Sequence, residues 1–62
     1  MFEITFVDEQ NHRKFTFDNV DEITINDMCV RVHGNDFIDN NKQPYAITAL
    51  HNEYTYITIY QN

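Results

Sequence analysis

A chain of 62 residues has room for one domain, and a domain of this size buries only about 60% of the surface that its unfolded form exposes. Ten acidic residues against four basic ones give a formal net charge of -6, which argues against nucleic acid or an anionic membrane as a direct partner. The composition predicts one acidic domain over residues 1–62, with a basic protein surface as its complement.

A domain this small has a thin core, and its cysteine and histidine residues do not predict a disulfide or a metal site that would stabilise it. Cys29 is the only cysteine, which excludes an internal disulfide, and the three histidines lack the spacing of metal ligands. Small domains without these supports often gain stability by association. We therefore expect no cofactor, and a homodimer or higher oligomer. A monomer stabilised by its four tyrosines and five phenylalanines is the alternative.

The N-terminal residues predict a strand and no targeting signal. They lack the basic region and apolar run of a secretory signal, and no apolar run approaches the ~20 residues that span a bilayer. With a lone free thiol, this pattern favours a cytoplasmic protein without a membrane partner.

Alternating apolar and polar residues predict an antiparallel hairpin from residues 2–6 and 13–17. A four-residue loop at 9–12 sets the register so that all the apolar side chains share one face. The expected facing pairs are Phe6 with Phe15 and Ile4 with Phe17.

Residues 22–25 and 28–32 predict a second, tighter hairpin. Asn26 and Asp27 separate the two strands, and both residue types tolerate the positive φ of a two-residue loop. The expected facing pairs are Ile25 with Met28 and Ile23 with Val30.

Turn residues predict corners at 18–21 and at 33–36, the second because it holds the only glycine. A short strand at 37–38 and a polar loop at 39–43 follow. Residues 44–50 suit either a strand or one helical turn, since a proline begins them and apolar residues lie three apart. Seven residues are few for a helix, which favours the strand.

Residues 53–60 give the clearest strand, built from β-branched and aromatic residues. Alternation places Tyr54, Tyr56 and Tyr60 on one face, and neither face of the strand is charged. We therefore expect this strand to lie in the middle of the sheet or to have its tyrosines covered by a partner.

Together these elements predict an all-β fold: five to six antiparallel strands curled into a small barrel or sandwich, with 44–50 as the one segment that could form a helical turn. The expected core consists of Phe2, Ile4, Phe6, Phe15, Phe17, Ile23, Ile25, Val30, Val32, Ile57 and Ile59.

No residue pattern predicts catalysis. Cys29 faces outward beside Arg31 and Asp27, without a histidine to act as its base, so it reads as a passive thiol. The three histidines fall in predicted turns, where they are expected to be solvated. The sequence therefore predicts a protein that is not an enzyme.

Two groups of residues are candidates for partner binding. Four carboxylates crowd into ten residues without a lysine or arginine among them, and they lack the loop spacing of a calcium site. A solvated surface that maintains solubility is the plain alternative. The tyrosines of the last strand are the second group, since tyrosine is enriched at interfaces. The candidate residues are Asp18, Asp21, Glu22, Asp27, Tyr54, Tyr56 and Tyr60.

These residues favour a non-enzymatic module that docks its acidic surface on a basic, nucleic-acid-binding protein. In composition alone, the chain is similar to small inhibitor and accessory proteins of phages and mobile elements. The alternative is a homo-oligomer that binds a small ligand, or serves as an assembly subunit, through its tyrosine face.

Overall fold

The computed structural model describes residues 1–61 and contains five antiparallel strands in one sheet, which confirms the all-β prediction. The strands are β1 (Phe2–Asp8), β2 (Arg13–Ile25), β3 (Cys29–Ile38), β4 (Asn41–Leu50) and β5 (Tyr56–Gln61). One 3-10 turn, His51–Glu53, lies between β4 and β5. It is too short to cross a membrane, and no helix in the described part of the chain could do so.

The spatial order is β4, β3, β2, β1, β5, and the sheet is open. β4 and β5 occupy its two ends and do not pair with each other among residues 1–61. Closure into a barrel or sandwich is therefore not confirmed. The position of β5 also corrects the expectation of a central strand, because β5 pairs with β1 on one side only.

The β1–β2 hairpin has the predicted register, with Phe6 opposite Phe15 and Ile4 opposite Phe17. Its turn is fastened by the buried carboxylate of Asp8, which accepts hydrogen bonds from the Asn11 side-chain amide at 2.8 Å and from the Arg13 guanidinium at 2.9 Å.

The predicted corner at 18–21 is wrong as a turn, because β2 runs through it without a break. The chain instead forms a β-bulge: Val20 lies opposite Gly34, Glu22 lies opposite His33, and Asp21 is the extra residue between them. Asn19 adopts a φ of 56°, in the left-handed region that asparagine tolerates. The residue types at 18–21 therefore do mark an irregular backbone, but the irregularity is a bulge within β2 and not the end of a strand.

The β2–β3 hairpin forms with a register two residues away from the predicted one, since Ile25 pairs with Val30 and not with Met28. The side-chain oxygen of Asn26 accepts the N–H groups of Met28 and Cys29, both at 2.9 Å, and this wider turn leaves Met28 75% exposed. A shift of two residues preserves the face of every side chain, so the core of β2 and β3 is unaffected.

The predicted turn at 33–36 is also wrong, because β3 continues through Gly34 to Ile38. The φ of Gly34 is not positive, so no turn requires a glycine there. The two-residue turn lies further along, at Asp39 and Asn40, whose φ values of 52° and 66° suit a tight hairpin. Residues 37–38 therefore end β3 and do not form a separate strand.

Residues 44–50 belong to β4, which confirms the favoured strand, and the only helical turn follows them at 51–53 within the described chain. The buried core lies on one face of the bent sheet and contains Ile4, Phe6, Val20, Val30, Val32 and Ala49. Three expected core residues are instead substantially exposed: Phe15 at 40%, Ile25 at 60% and Ile59 at 42%. Ile25 ends its strand and Ile59 lies on an edge strand, so an open sheet leaves them uncovered.

Candidate functional site: an acidic patch around Tyr45

The site is built around Tyr45, a half-buried residue of β4 that lies opposite Gly34 of β3. Because Gly34 has no side chain, the tyrosine ring crosses β3, and its hydroxyl donates a hydrogen bond of 2.8 Å to the backbone carbonyl of Asp18 on β2. The ring also packs against Phe17, with 6.2 Å between centroids. One side chain thus ties together three neighbouring strands.

Three exposed carboxylates act on this phenol, and we name Asp18, Asp21 and Asp36 the Tyr45 acidic patch. Burial raises the pKa of Tyr45 above its ordinary value, and the negative charges of Asp36, Asp18 and Asp21 raise it further. A nearby negative charge disfavours the phenolate, so the three carboxylates all act on the pKa of Tyr45 in the same direction as its burial.

The β-bulge and a buried amide hold Asp21 in the patch. Asn35 is only 5% exposed, and its Nδ2 donates a short hydrogen bond of 2.5 Å to Oδ2 of Asp21. Asp21 is the extra residue of the bulge, so the bulge directs its side chain toward β3. The carboxylate therefore has a fixed position and not the freedom of an ordinary surface aspartate.

No basic side chain of the described chain bridges these carboxylates. Within residues 1–61 the one salt bridge joins Arg13 to Asp8, with 2.9 Å between Nη2 and Oδ2, and it belongs to the β1–β2 turn. Bringing like charges together disfavours the patch unless water or an external cation compensates them. Within the described residues the patch is therefore a group of negative charges without a salt-bridge partner.

The structure brings together only part of the predicted acidic group. Asp18 and Asp21 are in the patch, whereas Glu22 lies opposite His33 and Asp27 lies in the β2–β3 turn. Neither of the last two is among the charges that raise the pKa of Tyr45. Asp36, which was predicted to lie in a turn, is the third member of the patch.

The predicted tyrosine row is divided as well. Tyr56 and Tyr60 lie on the sheet face away from the core, 51% and 59% exposed, and we name this surface the tyrosine face. Tyr54 precedes β5 and packs on the core side, 5.1 Å from the ring centre of Phe6 and 6.3 Å from that of Phe15. The chain bends at residues 54–55 before β5 begins, so strict alternation from 53 onward does not apply.

The tyrosine face carries a shallow groove of about 300 Å³. Its floor is a row of threonines across three strands, where Thr5 lies opposite both Thr16 and Thr58, and the hydroxyls of Thr5 and Thr16 are 3.1 Å apart. The remaining lining residues are Glu3, Val7, Lys14, Tyr56 and Tyr60. The groove therefore presents threonine hydroxyl groups and two tyrosine rings to solvent.

His12 and His33 are exposed, whereas His51 and Cys29 make contacts within the fold. His51 was expected to be solvated, yet its Nε2–H donates to the Asn26 carbonyl at 2.6 Å and its backbone N–H donates to Met28 at 3.0 Å. Cys29 is half-buried, with Sγ 3.4 Å from the side-chain amide of Asn26. No group of three or more His, Cys, Asp or Glu side chains in the described chain is arranged to hold a metal ion.

Comparisons with protein-family models, with curated proteins and with solved structures found no match.

Proposed function

We propose that this chain is a non-enzymatic protein-binding module that docks the Tyr45 acidic patch against a basic surface of another protein. The observation that carries the proposal is geometric: the Tyr45 hydroxyl bonds the backbone of Asp18, Asn35 bonds the carboxylate of Asp21, and Asp36 lies two residues after Gly34, the residue opposite Tyr45. No lysine or arginine forms a salt bridge with these carboxylates in residues 1–61. An arginine or lysine of a partner would form charge-assisted hydrogen bonds with these carboxylates. Nucleic-acid-binding proteins present such surfaces, so they are the partner class that we propose the module occupies or inhibits.

The rigidity of the patch supports this role. Tyr45 fixes the backbone of Asp18, and Asn35 fixes the carboxylate of Asp21, before any partner arrives. A preorganised set of acceptors loses less conformational entropy on binding than free side chains do. A solvated acidic surface that serves only solubility needs neither contact.

Nuclear magnetic resonance of the labelled chain tests the location of binding. A short peptide rich in lysine and arginine, titrated at low salt, should shift the backbone amide signals of Asp18, Asp21, Asn35 and Asp36 first. Raising the ionic strength to about 150 mM should reverse most of the shifts, because the Debye length falls to about 8 Å. Shifts confined to residues such as Glu9 and Asp27 would contradict the proposal, since those carboxylates lie outside the patch.

A second candidate function is favoured by the groove on the tyrosine face: a homo-oligomeric small-ligand binder or assembly subunit. The groove has a volume of about 300 Å³, at the lower end of the range for ligand pockets. A sheet of a second subunit packed on the tyrosine face would enclose the groove and form a sandwich. A ligand of this groove should raise the melting temperature of the wild type and not that of Tyr56→Ala. Substitution of Asp18, Asp21 and Asp36 by asparagine should leave that effect intact.

A further inference from the structure

Five residues of β5 form a palindrome: Tyr56, Ile57, Thr58, Ile59 and Tyr60 read the same in both directions. Thr58 is the centre, and no residue of the segment is charged. In an antiparallel pair the two strands run in opposite directions. A palindromic strand that pairs with its own copy therefore places every residue opposite an identical one.

β5 is also the less protected edge of the sheet. It pairs with β1 on one side, and no strand within residues 1–61 pairs with its other side, so alternate N–H and C=O groups along that side lack a strand partner. β4, the opposite edge, carries Lys42 and Pro44, and a charge and a missing N–H both discourage strand pairing. β5 has neither device.

We propose that β5 pairs antiparallel with β5 of a second copy, about a two-fold axis at Thr58. Tyr56 then lies opposite Tyr60 of the partner subunit, Ile57 opposite Ile59 of the partner subunit, and the two Thr58 residues face each other. Both aromatic pairs fall on the tyrosine face, and cross-strand aromatic and β-branched pairs stabilise sheets. The contact is isologous and closes as a dimer, with one continuous sheet across both copies.

The charge distribution permits a second copy to pair at this edge and sets the salt dependence of that pairing. Each chain carries a net charge of -6, so two copies repel, but the uncharged β5 lets them meet without opposing carboxylates in the paired strands. Added salt screens the repulsion and should strengthen the dimer, whereas it weakens docking of the Tyr45 acidic patch on a basic partner. The two proposals therefore fail independently of one another.

The size of the contact sets the expected strength. A standard interface buries about 800 Å² per partner, and pairing of one short edge strand of six residues falls below that area. The dimer is thus a reversible one that forms in the micromolar range, not an obligate one. Sedimentation equilibrium over a wide concentration range should show a monomer–dimer equilibrium that shifts toward the dimer with added NaCl.

Charge-matched variants locate the contact. Thr58→Glu places two carboxylates face to face at the two-fold axis and should raise the dimer dissociation constant about tenfold or more. Thr48→Glu makes the same change on the other edge strand, β4, beside Arg31, and should leave dimerisation at the wild-type level. A wild type that stays monomeric at every concentration and salt would overturn the proposal, and so would equal dimerisation of the two variants.

Disulfide crosslinking tests the β5–β5 contact without a substitution that weakens the dimer. In a Cys29→Ser background, Thr58→Cys should form a disulfide-linked dimer on mild oxidation, because the two side chains face each other across the axis. Thr48→Cys in the same background should crosslink far less. Equal crosslinking at the two positions would contradict pairing through β5.

Discussion

The hydroxyl of Tyr45 donates a hydrogen bond to the backbone carbonyl of Asp18, 27 residues earlier in the chain, and the ring passes over Gly34 to reach it. This contact joins β4 to β2 across β3, at the place where the β-bulge bends the sheet. Because Gly34 has no side chain, the Tyr45 ring can reach β2 and hold the backbone of Asp18 in the acidic patch.

Gly34→Ala should destabilise the fold by about 1–3 kcal/mol, the usual cost of overpacking a filled site. The added Cβ would lie 2.5 Å from the Tyr45 hydroxyl oxygen and 2.9 Å from the backbone oxygen of Asn19, so the ring or the bulge must shift. Urea unfolding monitored by circular dichroism measures the change.

A double-mutant cycle identifies the cause of that cost. In a Tyr45→Ala background the nearest contacts of the new Cβ are gone, and Gly34→Ala should cost clearly less than in the wild type. Strict additivity of the two substitutions would show that the ring does not occupy the space over Gly34.

The sequence predicted correctly those parts of the fold whose structure depends on residues close together in the chain. The β1–β2 register follows from alternation together with loop length, and both were visible in the sequence, so Phe6 does face Phe15. Residues 44–50 form a strand, as their length indicated, because seven residues are too few for a stable helix. The turn-forming residue types at 18–21 were also visible in the sequence, and Asn19 adopts a φ of 56° there, although the chain forms a bulge and not a corner.

Contacts between distant residues decided the rest. Gly34 was interpreted as a turn residue because a glycine that serves a ring from another strand has no local signature. That error removed Asp36 from the site, whereas a continuous strand would have placed it on the face of Tyr45. The β2–β3 register depends on the side chain of Asn26, which caps a wider turn than the two-residue loop that the sequence favoured.

Tyr54 and Tyr56, which the sequence placed in one row, should respond differently to truncation. Tyr54→Ala removes a ring that packs between Phe6 and Phe15 and should destabilise the fold by about 1–3 kcal/mol. Tyr56 is 51% exposed, so Tyr56→Ala should change the stability of the monomer by no more than about 0.5 kcal/mol. Thermal unfolding at high dilution compares the two, and equal losses would contradict the separate positions of these rings.

The turn carboxylate Asp8 should contribute to acid sensitivity. Hydrogen bonds from the side chains of Asn11 and Arg13 hold the pKa of Asp8 below its ordinary value of 3.8. A folded pKa below the unfolded one gives stability that is fully present above pH 3.8 and is lost as the pH falls through the folded value.

Asp8→Asn should therefore be less stable than the wild type at neutral pH, with a difference that shrinks below pH 3.8. Glu9→Gln, which removes an exposed carboxylate at the same turn, controls for the loss of one negative charge. Urea unfolding at a series of pH values gives the comparison. A difference that stays constant from neutral pH to strong acid would show that the Asp8 carboxylate is not stabilised in the fold.

The most direct test of the acidic docking surface is a binding measurement on two variants that lose the same charge. One carries Asp18→Asn, Asp21→Asn and Asp36→Asn, and the other carries Glu9→Gln, Asp27→Asn and Asp39→Asn. Asparagine at 39 tolerates the positive φ of that turn, so the second variant should remain folded. Calorimetric titration with the same lysine- and arginine-rich peptide, repeated over a range of salt concentrations, should show a large loss of affinity and a flatter salt dependence for the first variant alone. Equal affinity and equal salt dependence of the two variants would contradict a localised docking site, because general attraction to a net negative charge would then account for the binding.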